Sequence, residues 1–452
     1  MSDANFALPY NSALPHKGRT VLSGLTTTIA SSPAARTATA PSVGRNQPDL
    51  AAPDLVVLSH LRWTGAWQRP HHLVSRLAAA RAASGARTFF VEEPLRSDVA
   101  ALEVRHERHG DVTRVWLAVP TPLADPPDLG FDSQVSGDYG DLLARDLYDQ
   151  RRPAAPDVWV YTPMALDLAH ALAGGRLVYD VMDDLSSFRN APAGLLLGQR
   201  RLLREADVVF TGGPSLHRSI VEQRRGAVHL FRSGVEGGHF AAARRLRRPH
   251  ARKVAGFVGV IDERLNLDLV AGLAAALPDW TVRLVGPVTK IDPADLPQAP
   301  NLEYPGLAAY GDLPKVMAGF DVALMPFALN AATRSISPTK TLEYLAAGLP
   351  VVSTRVPDVV ADYAKVVHLA DDAGTFAAAC REVVTHRAGA RDEQARPFQD
   401  RQEWNYIASQ MARWLDHHTL TDAAGSTMSA RGASVGAGAV AGAVEQVDEV
   451  TA

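Results

Sequence analysis

Lys340 and Glu343 stand three positions apart in a short segment bounded by residues that begin and end helices. Ser337 suits the cap of such a helix, Pro338 its first position, and Gly348 its end. A lysine in the first turn is disfavoured by the positive end of the helix dipole, by roughly 0.3–1 kcal/mol, unless an anion binds there. A glutamate one turn deeper can accept hydrogen bonds from a diol. A phosphate beside two sugar hydroxyls is the pattern of a nucleoside diphosphate, so the segment is predicted to bind one.

The same two residues also fit a simpler role. On an exposed helix face, a lysine and a glutamate at this spacing form an ion pair that contributes only about 0.2–0.5 kcal/mol. The pattern alone does not separate the two interpretations. Other ligand motifs are absent from the sequence: there is no Gly-x-Gly-x-x-Gly after the first predicted strand of either half, no P-loop, and no His-Glu-x-x-His or paired cysteines. These absences argue against a dehydrogenase, a P-loop nucleotidase and a metal site.

Short apolar runs alternate with helical patterns along most of the chain, which is typical of parallel α/β sheets. The first half offers strands at 54–59, 87–92, 114–119, 157–161, 176–180, 207–211 and 227–232, with helices at 70–84, 141–150, 164–174, 193–205 and 214–224. The second half offers strands at 254–260, 281–286, 302–304, 320–326, 350–354 and 366–369, with helices at 265–276, 311–319, 338–347, 373–385 and 401–417. This pattern predicts an α/β fold of two Rossmann-like doubly wound domains that face across a cleft, with ligands at the carboxyl ends of the strands.

The two ends of the chain differ from its middle. Residues 1–50 and 419–452 lack periodicity and large apolar side chains, so we expect two disordered tails. The other predicted parts, in chain order, are an N-terminal Rossmann-like domain at 51–240, a basic linker at 241–253, a C-terminal Rossmann-like domain at 254–400 and a helix at 401–418 that packs back across the domains.

The amino-acid composition and net charge argue against several kinds of partner and site. The 452 residues carry a net charge of −3, which gives no argument for nucleic acid as a partner. The one cysteine, Cys380, excludes an internal disulfide and a cysteine metal cluster, and its Ala-rich helical surroundings predict a buried packing role. The sequence has no run of 18 apolar residues and no basic-then-apolar leader pattern, so we expect a cytoplasmic protein without a transmembrane helix. The basic stretch 244–253 suits either a solvated linker or a contact with phosphates at the inner membrane face.

The loop Ser59–His72 follows the first predicted strand and therefore borders the cleft. Tryptophan faces suit sugar rings, so Trp63 and Trp67 are predicted to contact a sugar, although Trp67 could instead pack the loop onto its domain. Arg69 can hold a phosphate with two hydrogen bonds. His72, at the start of the next predicted helix, is a candidate for contact with reacting groups.

Three aspartates stand at and just after the end of another predicted strand, 176–180, at the same edge of the cleft. They occur in the run Asp180-Val-Met-Asp-Asp. Asp183 is the candidate for a contact with a hydroxyl group or for a general base. The alternative is a helix N-cap with solvated neighbours.

At this point the chain resembles a known family. Asp321-Val-Ala-Leu-Met-Pro-Phe, followed by the segment 337–352, resembles the donor-binding half of GT-B glycosyltransferases, and above all family-4-type enzymes of bacterial polysaccharide assembly. Three further pieces resemble, in the right order, a loop of a teichuronic-acid-type subgroup, the turn that ends the first domain and the strand and loop that open the second: Trp63–His72, Ser233–Phe240 and Gly256–Arg264. The resemblance covers about residues 53–418.

The resemblance implies roles for individual residues. The implied donor-binding residues are Gly259, Arg264, Ser337, Thr339, Lys340 and Glu343. Glu343 would hold the donor ribose, while Lys340 and Arg264 would neutralise the diphosphate. Trp63, Trp67 and Arg69 would then lie on the acceptor side. Ser335 stands where many relatives carry a second glutamate that contacts the donor sugar.

The resulting prediction is a metal-independent hexosyltransferase that needs no cofactor. It moves a sugar from a nucleotide diphosphate sugar to a glycan or lipid-linked acceptor, in the synthesis of bacterial cell-surface polysaccharide. If the reaction retains configuration, the donor phosphate takes the acceptor proton; if it inverts, Asp183 or His72 is the candidate base. Two alternatives remain open, a nucleotide-sugar epimerase on the same fold and a catalytically degenerate donor-binding scaffold, which Ser335 would favour.

Overall fold

A computed structural model describes most of the chain between residues 53 and 415. The described ranges are 53–65, 67–121, 129–147, 155–172, 174–185, 193–249, 251–385 and 388–415. The predicted disordered tails, 1–50 and 419–452, lie outside them. The chain forms two units that are divided after Ile407, and both sheets lie in the first. No helix in the described part of the chain has the length and apolar content needed to cross a bilayer.

The first sheet is built mainly from apolar runs that are buried on both faces. Its strands within the described ranges are β1 Leu55–Ser59, β2 Thr88–Glu92, β3 Leu95–Ser97, β4 Glu103–His109, β5 Val112–Pro120, β6 Asp157–Val160, β7 Leu177–Val181, β8 Val208–Thr211 and β9 Val228–Leu230. They lie in the order β3-β5-β2-β1-β6-β7-β8-β9, with β4 also paired to β5. All pairs are parallel except β4 with β5. Continuous apolar strands are expected here because helices cover both faces of a parallel sheet.

The helices around this sheet follow its strands. They are α1 Arg69–Ala82, α2 Ser136–Leu147, α3 Leu166–Ala171, α4 Ala193–Glu205 and α5 Pro214–Gln223, and α6 Gly237–Leu246 leads into the second half. Each proline in the first turn of α1 and α5 occupies a position where its missing N–H costs nothing.

The second sheet is entirely parallel among the described strands. Its strands are β10 Val254–Val258, β11 Thr281–Val285, β12 Leu302–Gly306, β13 Val322–Met325, β14 Val351–Ser353 and β15 His368–Leu369. Its helices are α7 Leu267–Ala276, α8 Leu313–Ala318, α9 Ala331–Arg334, α10 Lys340–Ala346, α11 Pro357–Tyr363, α12 Ala373–Val383 and α13 Ala388–Arg401, and residues 404–415 are helical as well. The order β12-β11-β10-β13-β14-β15 reverses direction at β10, and ligands of doubly wound sheets bind at such a reversal. The predicted fold class is confirmed.

The linker predicted at 241–253 is wrong for its first part. Residues 241–246 belong to α6, and Arg244 within it contacts the end of α10. Arg244 donates to the carbonyl oxygens of Ala346 and Leu345, at 3.0 and 3.1 Å, and Arg247 donates to those of Ala347 and Gly348, at 3.0 and 3.2 Å. These carbonyls lie at or just after the end of α10, where a helix lacks regular intrahelical partners, so the two arginines stabilise that end.

Several contacts join the two halves of the first unit. Asp358 in α11 accepts hydrogen bonds from the backbone N–H and the hydroxyl of Ser215 in α5, at 2.9 and 2.5 Å. Arg232 forms a two-bonded ion pair with Asp362, at 2.7 and 3.0 Å. The first contact supplies α5 with a cap that its own N-cap residue, a glycine, has no side chain to provide.

Candidate active site

Helix α10 is held at the carboxyl end of β10. Leu342 and Leu345 are buried in the core of the second half, and the Tyr344 hydroxyl accepts a hydrogen bond from the N–H of Val258 at 2.8 Å. The helix begins at Lys340 rather than at 338, and its N-cap is Thr339 without a side-chain cap, so the predicted capping role of Ser337 is wrong. Gly348 ends it with φ +71°, as expected for the left-handed residue after a helix.

Lys340 and Glu343 form a half-buried pair in the described structure. The lysine Nζ lies 3.2 Å from a glutamate oxygen, and the two side chains are 27% and 12% exposed. A Cβ atom on Gly259 would lie 3.4 Å from Lys340 Cε and 2.8 Å from the Phe257 ring, so Gly259 leaves the room that the lysine occupies. The structure therefore brings three of the predicted donor-binding residues together.

Two loops run side by side beyond the ends of β10 and β11. The N–H of Ile261 donates to Pro287 at 2.9 Å, and the N–H of Thr289 donates to Ile261 at 3.0 Å. Gly286 has φ +155°, and a Cβ atom there would lie 1.8 Å from the Gly259 carbonyl oxygen. The close backbone approach explains why this position needs glycine.

Arg264 stands on the first of these loops. Its Nε and one Nη donate to the buried carboxylate of Asp262 at 2.7–3.0 Å, and its backbone carbonyl accepts from Ala328. The guanidinium remains 40% exposed. Asp262 therefore fixes the direction of a cation that still faces solvent, which is what binding of an anionic ligand requires.

Asp183 follows β7 in the first half and faces the loops of the second. Although its carboxylate is exposed, surrounding protein removes enough water to raise its pKa above the usual range, with Asp184 acting in the same direction. The charges of Arg264 and Lys290 oppose this rise. Its neighbour Asp184 accepts a hydrogen bond at 3.0 Å from the hydroxyl of Ser335. The predicted base thus lies where the two halves meet.

The two tryptophans of the loop after β1 are placed differently. Trp63 is buried, its backbone N–H donates to the Glu92 carboxylate at 2.6 Å, and its ring meets Phe90 edge-on at 4.9 Å. Its predicted contact with an acceptor is therefore wrong, because the ring is part of the core. Trp67 is 43% exposed and stacks on His71 at 5.9 Å. Trp67 keeps the open face that an acceptor sugar would need.

Arg69 has a structural role in place of the predicted phosphate contact. Its side chain is 4% exposed and donates to both oxygens of the fully buried Asp180, at 3.0–3.2 Å. A third nitrogen donates to the Phe231 carbonyl at 2.7 Å. The guanidinium joins the ends of β7 and β9 and has too little free surface for a ligand.

His72 lies buried at the junction of α1 with later parts of the chain. Its ring stacks on Trp404 at 5.0 Å with planes 7° apart, and its Nδ1 is 3.9 Å from a carboxylate oxygen of Glu236. Burial lowers the pKa of His72 to about 4, although Glu236 opposes the shift. Tyr310, from the second half, donates to the same glutamate at 2.6 Å. His72 is therefore neutral near pH 7, as a base must be, but most of its surface is covered.

Sequence reasoning missed three residues that the structure places at this site. Asp262 orients Arg264, Asp184 holds Ser335, and Lys290 faces Asp183. Asp262 could have been found, since a carboxylate two residues before an arginine in a loop can reach it. The other two depend on contacts between distant parts of the chain.

Comparison with known proteins now bears on this arrangement. A family model for group 1 glycosyl transferases matches residues 252–386, which contain Gly259, Arg264, Lys340 and Glu343. The putative teichuronic acid biosynthesis glycosyltransferase TuaH of Bacillus subtilis (strain 168) is 27% identical over 315 residues, covering 62% of this chain and 78% of its own. Residues 252–386 are therefore a group 1 glycosyl transferase domain. A GDP-mannose-dependent alpha-mannosyltransferase of Mycobacterium tuberculosis is 32% identical over 162 residues, 34% of this chain and 40% of the relative.

Solved structures share the fold of this chain. An α,α-trehalose-phosphate synthase (UDP-forming) from Burkholderia vietnamiensis superposes with a TM-score of 0.58 at 17% identity, over 82% of this chain and 100% of the other. A trehalose-6-phosphate structure from E. coli, bound with UDP-2-fluoro glucose, gives a TM-score of 0.59 at 14% identity, over 80% and 98% of the two chains. The predicted GT-B fold is confirmed by these likenesses.

Proposed function

We propose that this glycosyltransferase takes a hexose from a nucleoside diphosphate sugar and transfers it to a glycan or lipid-linked acceptor in bacterial cell-surface polysaccharide synthesis. The observation that carries the donor assignment is the half-buried Lys340–Glu343 pair beside Gly259, at the reversal of the second sheet. Arg264 stands on the loop that follows Gly259 and holds its guanidinium toward solvent. The names of the two sequence relatives, one for teichuronic acid and one for a mannosyl donor, support a sugar donor and a polysaccharide product.

The chemistry needed is the breaking of the bond between the sugar C1 and the diphosphate oxygen. Negative charge develops on the departing diphosphate, and Lys340 and Arg264 would stabilise it without a metal ion. Glu343 would accept hydrogen bonds from the ribose hydroxyls. The acceptor oxygen forms the new bond to C1, and its proton passes to the donor phosphate in a retaining reaction or to Asp183 in an inverting one.

The other side of the cleft would receive the acceptor. Trp67 offers an exposed ring for a sugar face. A cytoplasmic enzyme resting on the inner membrane face would meet a lipid-linked acceptor there. Arg245, Arg248 and Arg252 are among the exposed arginines of the basic stretch and could contact lipid phosphates.

Replacing Glu343 tests the donor assignment. A thermal-shift screen with UDP, GDP, ADP and TDP first identifies the base, since a bound ligand stabilises the folded state. With the matching sugar donor, Glu343→Ala is expected to lower kcat/KM by about 30- to 1000-fold, or roughly 2–4 kcal/mol. Glu222→Ala, which removes an exposed carboxylate of α5, serves as the control. Unchanged kinetics in a folded Glu343→Ala protein would refute the ribose role.

A further inference from the structure

Lys290 has a backbone conformation that lysine rarely adopts. Among the residues that the structure describes, it is the one non-glycine residue with positive φ, at +62°. Left-handed backbone costs an ordinary residue roughly 1–2 kcal/mol, and such residues cluster at functional sites. Its side chain is exposed. A glycine or asparagine would fit this position more easily, so packing does not explain a lysine.

Neighbouring loops hold this conformation in place. Lys290 follows Thr289, whose N–H bonds to Ile261, and an isolated parallel bridge pairs Val288 with Ile261. The loop that contains Ile261 reaches Arg264 three residues later in the chain. Lys290 is therefore fixed beyond the carboxyl end of β11, beside the loop that carries Arg264, the arginine proposed to bind the diphosphate.

Lys290 differs from the other two cations of the site in its lack of a carboxylate partner among the described residues of its own half. Lys340 is paired with Glu343 and Arg264 with Asp262, so each of these pairs is neutral overall. The described residues give Lys290 no hydrogen bond or ion pair within its own half. Across the cleft it faces Asp183, whose neighbour Asp184 is fixed by Ser335. An anion entering the cleft would compete with Asp183 for both Lys290 and Arg264.

We propose that Lys290 is a third cationic contact for the donor diphosphate, and that Asp183 competes with the diphosphate for Lys290 and Arg264. This inference rests on the proposed function, because it deepens the assignment of the donor site. When the diphosphate takes over the two cations, Asp183 loses the charges that favoured its ionised form. In an inverting reaction, donor binding would thus free this carboxylate to accept a proton from the acceptor.

Calorimetry with the nucleoside diphosphate that stabilises the wild-type protein tests the proposal. Lys290→Asn removes the charge and keeps a residue that tolerates left-handed backbone, and it is expected to weaken binding about 10- to 100-fold, the range of a charge-assisted hydrogen bond. Lys290→Arg should retain most of the affinity. Asp183→Asn should tighten binding about 2- to 5-fold, with a smaller gain in the Lys290→Asn background. A lower salt dependence of binding in Lys290→Asn would report the lost charge.

A matched control variant and two contrary outcomes complete the test. Lys253→Ala removes one exposed lysine at the amino end of β10, the opposite edge of the same sheet, and should leave affinity unchanged. If Lys290→Asn binds like the wild type while Lys340→Ala binds more weakly, the inference is overturned and the proposed function stands. If no nucleoside diphosphate binds the wild-type protein, both fall.

Discussion

The buried pair of Arg69 and Asp180 gives the strongest test of the structural assignments. Asp180→Asn keeps the size of the side chain but leaves the guanidinium without its counter-charge. The pair is 4% and 0% exposed, and three of its donor–acceptor distances are 3.0–3.2 Å. Water cannot replace the lost carboxylate at such burial, so the variant is expected to lose about 3–5 kcal/mol of unfolding free energy.

A second, more exposed ion pair in the same protein provides a comparison for this expected loss of unfolding free energy. Arg232 and Asp362 have similar geometry, but the arginine side chain is 36% exposed. Solvent screens that pair, so Asp362→Asn is expected to cost about 1 kcal/mol or less. Burial, rather than the number of hydrogen bonds, should decide the difference between the two variants.

Urea and thermal unfolding, read as shifts in midpoint against the wild type, would measure the effect. Replacing both members with apolar residues, as Arg69→Met with Asp180→Leu, should restore most of the lost stability because no charge then remains buried. The reasoning is refuted if Asp180→Asn unfolds like the wild type. If Asp180→Asn instead has normal stability and a raised KM for the acceptor, the result would favour the ligand-binding role of Arg69 that the sequence predicted.

Three further predictions concern the site and its supports. Lys340→Ala should weaken nucleoside diphosphate binding about 10-fold or more in calorimetry, and equal affinity would remove this lysine from the site. Gly286→Ala would place a Cβ atom 1.8 Å from the Gly259 carbonyl oxygen, so we expect a lower melting temperature and weaker donor binding, whereas Gly311→Ala, with no atom within 4 Å, should change neither. The pKa of His72 falls from 6.5 to about 4 on folding, so the unfolded chain binds this proton first as pH drops. Stability should therefore decline between about pH 6.5 and 4, by up to about 3 kcal/mol, and His72→Phe should show a shallower decline in pH-dependent unfolding.

The sheets could be predicted where strands are buried on both faces, because such strands are uninterrupted apolar runs. β4 was missed because Glu103–His109 is polar at nearly every position. It pairs antiparallel with β5 after a turn at Gly110, which has φ +62°. An exposed edge strand takes its register from its partner and the turn, so its own residues carry little signal.

In the candidate site, too, contacts between residues close in sequence could be predicted, whereas contacts between distant residues could not. Lys340 and Glu343 could be predicted because helical spacing alone brings them together. Arg69 was misassigned because its partner, Asp180, lies 111 positions away, and a loop arginine gives no sign of which carboxylate it will meet. Lys290 was missed for a related reason, since its backbone conformation depends on a loop about 30 residues earlier in the chain.

The hydrogen bonds from Ser215 to Asp358 bear on whether the protein can be divided. Helix α5 borrows its amino-terminal cap from a residue that arrives 143 positions later. A fragment that stops before β10 would lack this partner, and its helix would start with an open N–H, at a cost of about 1 kcal/mol. The first Rossmann-like half therefore depends on the second for the cap of one of its helices, and any motion that separates α5 from α11 has to break this bond.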